Sequence, residues 1–504
     1  MKNKIFNGIS VIFLLFFASC GSGNAQKMST SSPMFDKIVE FTKQKGMKNA
    51  SVGFLLIDTK TGKEITSFNP DMSLSPASTM KLFTTATALE VFGADHQFET
   101  KIQYDGTIDK SGVLHGNIYI KGGGDPTLGS KRFEANYKNP YFLTQWADKI
   151  KALGINKIDG AIVGDAQYFS TNIIPRLRAW EDMANYYGAG ACGLSIFDDM
   201  FEISLKSGAK AGDTTYVQSV EPEIPGLTFV NYVKASDSSA DEAFIFGAPY
   251  DFEREIRGTI PKASSNFIIK GALPDPALFA AQKLEEYLKI INVVASKSAT
   301  TVRNMSLNGT YKHTQRTDIH TTYSPKLSEI IFTTNKISFN LYPEHLLNHI
   351  AIKLLGENDS ESGAEAAKYF WSQKGMDIEG MFVRDGSGLT RYNFITARQL
   401  TFILSYMKNK SKYYDAFNNS LPVAGKSGTL RGMCKNTKAE DNVRAKSGSI
   451  SKVRAYSGYV TAASGEEMAF TILVNNYTCR DAEMRDYLEK LMVNMAELQL
   501  QTEK

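Results

Sequence analysis

Hydrophobic and polar residues alternate with two different periods along this 504-residue chain. Between Met34 and Gly46 the apolar positions recur with a helical period, and residues 50–70 then alternate around a Thr-Gly turn. This pattern predicts a helix followed by a β-hairpin. A second, strongly apolar helix is predicted from about Ser78 to Phe92, and Gly93 ends it.

The middle of the chain has a different pattern. From residue 98 to residue 273, short alternating segments are separated by turns rich in Gly, Asp and Pro, which predicts a mainly β region. Helical periodicity resumes near Ala277 and dominates to about residue 408, and two strands and a last helix from about residue 481 follow. We therefore expect an α/β (α+β) fold in which a catalytic domain, at 34–97 and 274–501, is interrupted by an inserted β-rich region at 98–273.

The N-terminus has the features of an export signal. Two lysines precede the apolar run Ile9–Phe17 and a group of small residues, and the run is too short for a permanent membrane span. The sequence around Cys20 resembles a bacterial lipobox, so residues 1–20 are predicted to be a lipoprotein-type signal with Cys20 as the lipidated residue. Residues 21–33 would then be a flexible tether. Cleavage nearby, for instance after Ala25, is the alternative and would release an unanchored protein.

Composition excludes several classes of function. The formal charge is only +4 with both signs mixed, so no nucleic-acid partner is expected.

Apart from Cys20 there are three cysteines, which cannot all pair within one chain, although a disulfide between Cys434 and Cys479 stays possible. The pattern "YPEHLLNH" (342–349) is not H-E-x-x-H, so His345 and His349 are expected to be surface or core histidines. No metal and no organic cofactor is expected.

Candidate chemistry begins with serine and lysine three residues apart. On a helix such residues share a face, so the lysine can take the proton of the serine hydroxyl. Four such pairs occur: Ser78/Lys81, Ser207/Lys210, Ser405/Lys408 and Ser449/Lys452. The other three lie in a turn, at a polar helix end and in a predicted strand. Ser78 alone opens a strongly apolar helix, so Ser78 and Lys81 are predicted to be nucleophile and base.

Two further motifs complete a known set. S-x-x-K, S-x-N or S-D-N, and K-T-G together serve acyl transfer in penicillin-binding proteins and class A β-lactamases. Ser338-Phe339-Asn340 is an S-x-N sequence just before a predicted helix. Lysine motifs begin at both Lys426 and Lys446, and the second is favoured because an alternating hairpin follows it directly.

With these motifs, the chain resembles low-molecular-mass penicillin-binding proteins of the D-alanyl-D-alanine carboxypeptidase/endopeptidase family, peptidase family S13. The stretches "GGGDPTL" (122–128), "DGSGLTRYN" (385–393) and "LPVAG" (421–425) also fit, and the resemblance extends from about residue 35 to the C-terminus. It implies a penicillin-binding transpeptidase-like (β-lactamase-like) domain with an insertion. It also implies cleavage of peptidoglycan stem peptides, covalent inhibition by β-lactam antibiotics, and a place in the periplasm or cell envelope.

The resemblance assigns roles to the five residues of the motifs. Ser78 would be the acylated nucleophile and Lys81 its general base. Ser338 would help to relay the leaving-group proton and Asn340 would orient the substrate amide. Lys446 would support the proton network.

Substrate contacts are implied for four other residues. Together with Lys446, Ser447 and Ser449 would bind the terminal carboxylate, and Gly448 belongs to the same substrate-binding segment. The backbone N–H groups of the nucleophile and Ser449 would form the oxyanion hole. Asp165 resembles a residue of the inserted region that contacts the free amine of the peptide side chain. The chain departs from the family pattern in having Phe339 for the usual Asp and Ser447 for the usual Thr.

Two alternative functions stay open: a β-lactamase, or an inactive peptidoglycan-binding scaffold.

Overall fold

The computed structural model describes residues 33–138 and 140–500. Strands occur at both ends of this part of the chain and throughout its middle. They are β1 (Ser51–Asp58), β2 (Glu64–Phe68), β3 (Glu99–Tyr104), β4 (Thr107–Ile108), β5 (Val113–His115), β6 (Ile118–Gly122), β7 (Lys157–Ile158), β8 (Ile162–Asp165), β9 (Met200–Ser207), β10 (Thr215–Glu221), β11 (Thr228–Asn231), β12 (Lys234–Ser236), β13 (Glu242–Phe246), β14 (Glu253–Pro261), β15 (Phe267–Ala272), β16 (Val294–Ala295), β17 (Thr300–Thr301), β18 (Thr317–Tyr323), β19 (Arg444–Ile450), β20 (Val453–Thr461) and β21 (Glu467–Asn475).

Helices surround these strands, and the longer ones lie mainly in the C-terminal half. They are α1 (Pro33–Thr42), α2 (Met80–Phe92), α3 (Glu134–Tyr137), α4 (Tyr141–Ala152), α5 (Trp180–Met183), α6 (Pro276–Ile290), α7 (Val302–Leu307), α8 (Leu327–Ile337), α9 (Leu341–Leu355), α10 (Ser360–Gln373), α11 (Ala397–Asn409), α12 (Tyr414–Ser420) and α13 (Asp481–Ala496).

One antiparallel sheet joins the two ends of the chain. Its strand order is β19-β20-β21-β1-β2, so the N-terminal hairpin pairs with the last strand of the sequence. Both faces of this sheet are buried. Successive side chains of a strand point to opposite faces, so each strand contributes to two cores. On β1, Phe54 and Leu56 join the core beneath α1 and α13, whereas Leu55 and Ile57 join the core that contains α2 and α11.

The middle of the chain builds four further sheets around a separate core. Their strand orders are β10-β9-β15, β11-β14-β12 with β13 on β14, β16-β7-β5-β4, and β17-β8-β6-β3-β18. The sequence predicts the end of this region at residue 273, and the structure differs. Helix α6 packs its apolar face into the core of the inserted sheets, and β16, β17 and β18 pair with β7, β8 and β3. The inserted region therefore extends to Tyr323.

The reason for this difference is physical. Periodicity identifies α6 as a helix but does not say which core its apolar face joins. The helix-dominated stretch predicted from about residue 277 also contains β18, which the hydrophobic pattern misses because "TDIHTTY" alternates through Thr, Asp and His. From Leu327 onward the buried side chains of α8 belong to the core around α2.

Helix α2 is buried on every side. All residues from Met80 to Leu89 are buried, and they pack against α8, α9, α10 and α11. A helix that is enclosed all round is held rigidly, so the turn at its N-terminus has a fixed position. Among the described residues no helix is both long and apolar enough to cross a membrane. The three described cysteines are buried and unpaired, so Cys434 and Cys479 form no disulfide here.

Candidate active site

Ser78 lies in a 3₁₀ turn, Ala77–Thr79, that leads directly into α2. Its side chain is partly accessible, whereas the residues on both sides of it are buried. Ala77 has φ of 44°, a left-handed conformation that costs energy in a residue other than glycine. Such strain persists only where the surrounding structure enforces it, and here it aims the Ser78 hydroxyl out of the helix start.

Lys81 lies one turn along the same face and is fully buried. Its Nζ donates hydrogen bonds to Ser78 Oγ at 3.0 Å, to Asn340 Oδ1 at 2.7 Å and to the Ser387 carbonyl at 2.7 Å. Burial lowers the pKa of Lys81 to about 7, although the carboxylates of Glu344 and Asp385 oppose this shift. An amine of this pKa is largely neutral just above pH 7 and can then accept the proton of a serine.

Ser338 and Asn340 occupy the junction between α8 and α9. Ser338 ends α8 in a left-handed conformation, with φ of 61°, and Asn340 begins α9. The reversal of the chain at this junction brings both side chains towards Lys81 and Lys446. Asn340 accepts from Lys81 and donates through Nδ2 to the Tyr187 carbonyl at 2.8 Å, so both ends of its amide are fixed.

Lys446 reaches the same site from β19, the edge strand of the central sheet. Its Nζ donates to Ser338 Oγ at 2.9 Å and to the Ser447 carbonyl at 2.7 Å. Burial, and then the charge of Lys81, hold the pKa of Lys446 well below its usual value. Each buried amine therefore binds one serine hydroxyl, Lys81 that of Ser78 and Lys446 that of Ser338, and the charge of Lys81 disfavours protonation of Lys446.

Gly448 allows β19 to approach the nucleophile turn. A Cβ atom at this position would lie 2.5 Å from the Pro76 carbonyl and 3.1 Å from the Ser78 amide nitrogen. The Ala445 N–H points away from β20 and donates to Pro422, so the N–H groups of Ser447 and Ser449 face the same free edge of the strand. This edge is within reach of an acyl group on Ser78.

The remaining motif residues border the site on its open side. Ser447 is partly exposed and donates to Thr429 Oγ1 at 2.7 Å, and Ser449 is exposed. The competing lysine, Lys426, is exposed and forms an ion pair with Glu440 at 3.1 Å. The structure thus brings Lys446 and not Lys426 to Ser338.

Two predicted residues are not joined to this cluster. Asp165, at the end of β8, forms an ion pair with Arg316 at 2.6 Å and accepts from the Gln167 N–H at 3.1 Å. Both of its carboxylate oxygens are therefore occupied. Cys20 lies outside the described residues.

A buried ion-pair network beside Lys81 is not predicted from the sequence. Arg178, from the inserted region, donates through Nη2 to Glu344 at 3.1 Å and to Asp385 at 3.0 Å, and all three side chains are fully buried. Glu344 directly precedes His345 on α9. Asp385 opens the "DGSGLTRYN" stretch, which is the only signal in the sequence that could have pointed to this network.

The two histidines are core residues. His345 Nδ1 donates to the Leu341 carbonyl at 3.0 Å and its Nε2 lies 2.8 Å from Ser195 Oγ, whereas His349 Nε2 donates to the Gly124 carbonyl at 2.9 Å. Burial lowers the pKa of His345 to about 4 and that of His349 to about 3, so both are neutral at physiological pH.

The fold and the site together define a class of protein. A buried helix that presents a serine–lysine pair, a serine–asparagine pair on the facing helices and a lysine on the sheet edge are the marks of the penicillin-recognising serine hydrolases. The particular family follows from comparison with known sequences. The chain belongs to the D-Ala-D-Ala carboxypeptidase 3 (S13) family, whose profile matches residues 35–498. It is therefore a serine-type hydrolase.

Two relatives match along most of their length. The chain is 30% identical over 448 residues to the D-alanyl-D-alanine carboxypeptidase of Actinomadura sp. (strain R39). The aligned region covers 86% of this chain and 79% of that protein. It is 25% identical over 464 residues to the D-alanyl-D-alanine carboxypeptidase DacB of Haemophilus influenzae. The aligned region covers 91% of this chain and 92% of that protein.

A solved structure has the same fold. Penicillin binding protein 4 (dacB) from Haemophilus influenzae superposes with a TM-score of 0.78 at 22% identity, covering 92% of this chain and 99% of that chain. A second structure of that protein, complexed with a β-lactam, gives a TM-score of 0.72. This likeness confirms the predicted fold class.

Proposed function

We propose that this protein is a serine-type D-alanyl-D-alanine carboxypeptidase that cleaves peptidoglycan stem peptides through an acyl-enzyme on Ser78. The observation that carries the proposal is the hydrogen bond from the buried Lys81 amine to Ser78 Oγ, in a family of this activity. The lysine supplies the base that a serine hydroxyl needs, and its lowered pKa suits it to that task.

The reaction follows from the positions of the side chains. Neutral Lys81 takes the proton of Ser78 as Oγ attacks the carbonyl of the penultimate D-Ala. Ser338, which accepts a hydrogen bond from Lys446, is proposed to pass a proton to the leaving D-Ala amine. Water then attacks the ester carbonyl and gives a proton to Lys81, and Lys81 returns a proton to Ser78 Oγ as the ester bond breaks.

Charge that develops on the carbonyl oxygen is stabilised by backbone N–H groups. The start of α2 and the free edge of β19 converge at Gly448, so the N–H groups of Ser78 and Ser449 are proposed to form the oxyanion hole. Loss of one such donor typically costs about 3 kcal/mol of transition-state stabilisation. Ser447, Gly448 and Ser449 are proposed to bind the terminal carboxylate of the substrate.

Asp165 is proposed to contact the free amine of the stem-peptide side chain. This role requires the amine to exchange with Arg316, its present ion-pair partner. Asp165→Asn is therefore expected to raise KM for a peptide with a free side-chain amine and to leave kcat unchanged. A peptide in which that amine is acetylated is the control and should not distinguish the variant from the wild type.

Release of D-Ala from a synthetic peptide ending in D-Ala-D-Ala tests the activity. The wild type is expected to release one D-Ala per peptide, and Ser78→Ala is expected to release none. Ser405→Ala is a matched control because Ser405 also precedes a lysine by three residues but lies on α11, where its hydroxyl contacts only Asn409 among the described groups. Equal activity of Ser78→Ala and wild type would refute the proposal.

Assays with penicillin and with a cross-linked muropeptide separate the competing functions. Rapid, repeated hydrolysis of penicillin would indicate a β-lactamase, and the absence of both reactions would indicate a binding scaffold. Release of monomers from a cross-linked muropeptide dimer would add DD-endopeptidase activity to the proposal.

Export and anchoring are proposed from the N-terminal sequence. A lipid on Cys20, followed by a tether, would place the catalytic domain on the cell-wall side of a bacterial membrane, where its substrate is. Metabolic labelling with a palmitate analogue should mark the wild type and not Cys20→Ser. Labelling of neither, with release of the protein on cell fractionation, would support cleavage near Ala25 instead.

A further inference from the structure

Lys81 has two hydrogen-bond acceptors besides the nucleophile, and both are held in place from outside the catalytic motifs. One is the Ser387 carbonyl and the other is Asn340 Oδ1. These two bonds fix the direction in which the amine presents its lone pair to Ser78. Whatever positions the acceptors therefore positions the base.

Arg178 contacts the groups that hold each acceptor. Its Nη2 donates to Glu344, and a Glu344 carboxylate oxygen accepts a hydrogen bond from the Ser387 N–H at 3.2 Å. The carbonyl of this same Ser387 accepts the hydrogen bond from Lys81. Its Nη1 donates to the Gly188 carbonyl at 3.2 Å. The neighbouring Tyr187 carbonyl accepts a hydrogen bond from Asn340 Nδ2 and so holds the amide whose oxygen is the second acceptor of Lys81. A single guanidinium thus connects to both acceptors of Lys81.

The third contact of Arg178 fixes the loop that carries Ser387. Asp385 accepts from Nη2 at 3.0 Å and from the N–H groups of Gly388 at 2.8 Å and Thr390 at 2.7 Å. Gly388 has φ of 80° and lies against the Ala77 backbone, so this loop packs directly on the nucleophile turn.

We propose that Arg178 is a positioning residue for catalysis, through which the segment 178–188 of the inserted region becomes part of the catalytic centre. It orients Lys81 by way of Glu344, Asp385 and the Tyr187–Gly188 peptide, and touches neither substrate nor nucleophile. This inference rests on the proposed function, because it concerns the base of that reaction. It explains why a residue far from the three motifs is buried with two carboxylates.

The charges around Lys81 give the network a signature in the pH profile. Glu344 on α9 and Asp385 on its loop face the amine with negative charge, and Arg178 and Lys446 face it with positive charge. Glu344 raises the pKa of Lys81 and Arg178 lowers it. Glu344→Gln removes one negative charge and should move the acidic limb of the acylation rate to lower pH, by about one unit. A purely structural role would lower the rate at every pH alike.

The first experiment measures the rate of acylation by benzylpenicillin as a function of pH in the full chain. Arg178→Met should slow acylation by about 10²-fold, the usual effect of misplacing a reacting group by about 1 Å. Arg178→Lys keeps the charge and should recover part of the rate. Arg176→Met is the control, because Arg176 lies two residues away, is 74% exposed and pairs with the surface carboxylate of Glu361 at 3.9 Å.

Each outcome decides the question. A slow Arg178→Met, partial recovery in Arg178→Lys and a shifted limb in Glu344→Gln support the proposal. Wild-type rates in Arg178→Met, or an unshifted limb in Glu344→Gln, overturn it. If Arg178→Met does not fold, the limb of Glu344→Gln decides alone. Failure of the wild type to be acylated at Ser78 would instead refute the proposed function.

Discussion

Replacement of Lys81 by methionine removes an amine that burial destabilises in its charged form. The pKa of Lys81 is 10.5 in the unfolded chain and about 7 in the folded one, a difference worth about 5 kcal/mol at 1.36 kcal/mol per pKa unit. At a pH between these two pKa values, Lys81 binds a proton in the unfolded chain and not in the native chain. The unfolding free energy of the wild type therefore increases with pH across this window, whereas the methionine variant lacks this contribution.

The assay is urea unfolding of both proteins at about pH 7.5 and about pH 9.5. The difference in unfolding free energy, wild type minus Lys81→Met, should rise by about 2.5 kcal/mol over these two pH units. Titrating groups that do not interact with Lys81 contribute equally to both proteins and cancel in this difference. The lost hydrogen bonds of the amine shift the difference by a constant, so only its slope with pH is interpreted.

Lys446 provides the control because its charge couples to that of Lys81. The same comparison in a Lys446→Met background removes this coupling and should keep a positive slope. A difference that stays flat between the two pH values would show that Lys81 keeps an ordinary pKa in the folded protein. The argument for a lysine base would then fail.

Three further outcomes follow from the site. The acylation rate by benzylpenicillin should rise tenfold per pH unit below about pH 7 and level off above it, because only neutral Lys81 accepts the serine proton; a rate that does not change between pH 5 and pH 8 would contradict this. Gly448→Ala should slow acylation by about 10²-fold or more, because its Cβ would meet a backbone carbonyl at 2.5 Å and displace the N–H groups proposed as the oxyanion hole. Gly432→Ala should not slow it, because a Cβ there would meet the end of the flexible Arg485 side chain. Lys446→Met should lose D-Ala release and Lys426→Met should keep it, as measured on the same peptide, since Lys426 is paired with a surface carboxylate outside the site.

Local patterns predict the parts of this protein whose causes are local. An apolar helix after a serine, an alternating hairpin after a lysine motif and a serine–asparagine pair before a helix are each visible in about ten residues. Ser78, Lys81, Ser338, Asn340 and Lys446 could therefore be named from the sequence. In the structure Lys81 is hydrogen-bonded to Ser78 and Asn340, and Lys446 is hydrogen-bonded to Ser338. The two lysines lie close enough for the charge of Lys81 to lower the pKa of Lys446.

Contacts between distant segments could not be predicted in the same way. Arg178 lies 166 residues from Glu344 and 207 from Asp385, and nothing near Arg178 in the sequence indicates burial among carboxylates. The sheet partners of β18 and the core that α6 joins are likewise set by tertiary packing, so the end of the inserted region was predicted about fifty residues too early.

The central claim is that Ser78 is the acylated nucleophile, and intact-mass spectrometry after incubation with benzylpenicillin tests it most directly. The account predicts a persistent adduct of one penicillin on the wild type, located by peptide mapping at Ser78 and absent from Ser78→Ala. An adduct that survives in Ser78→Ala, or a wild type that remains unmodified, would contradict it.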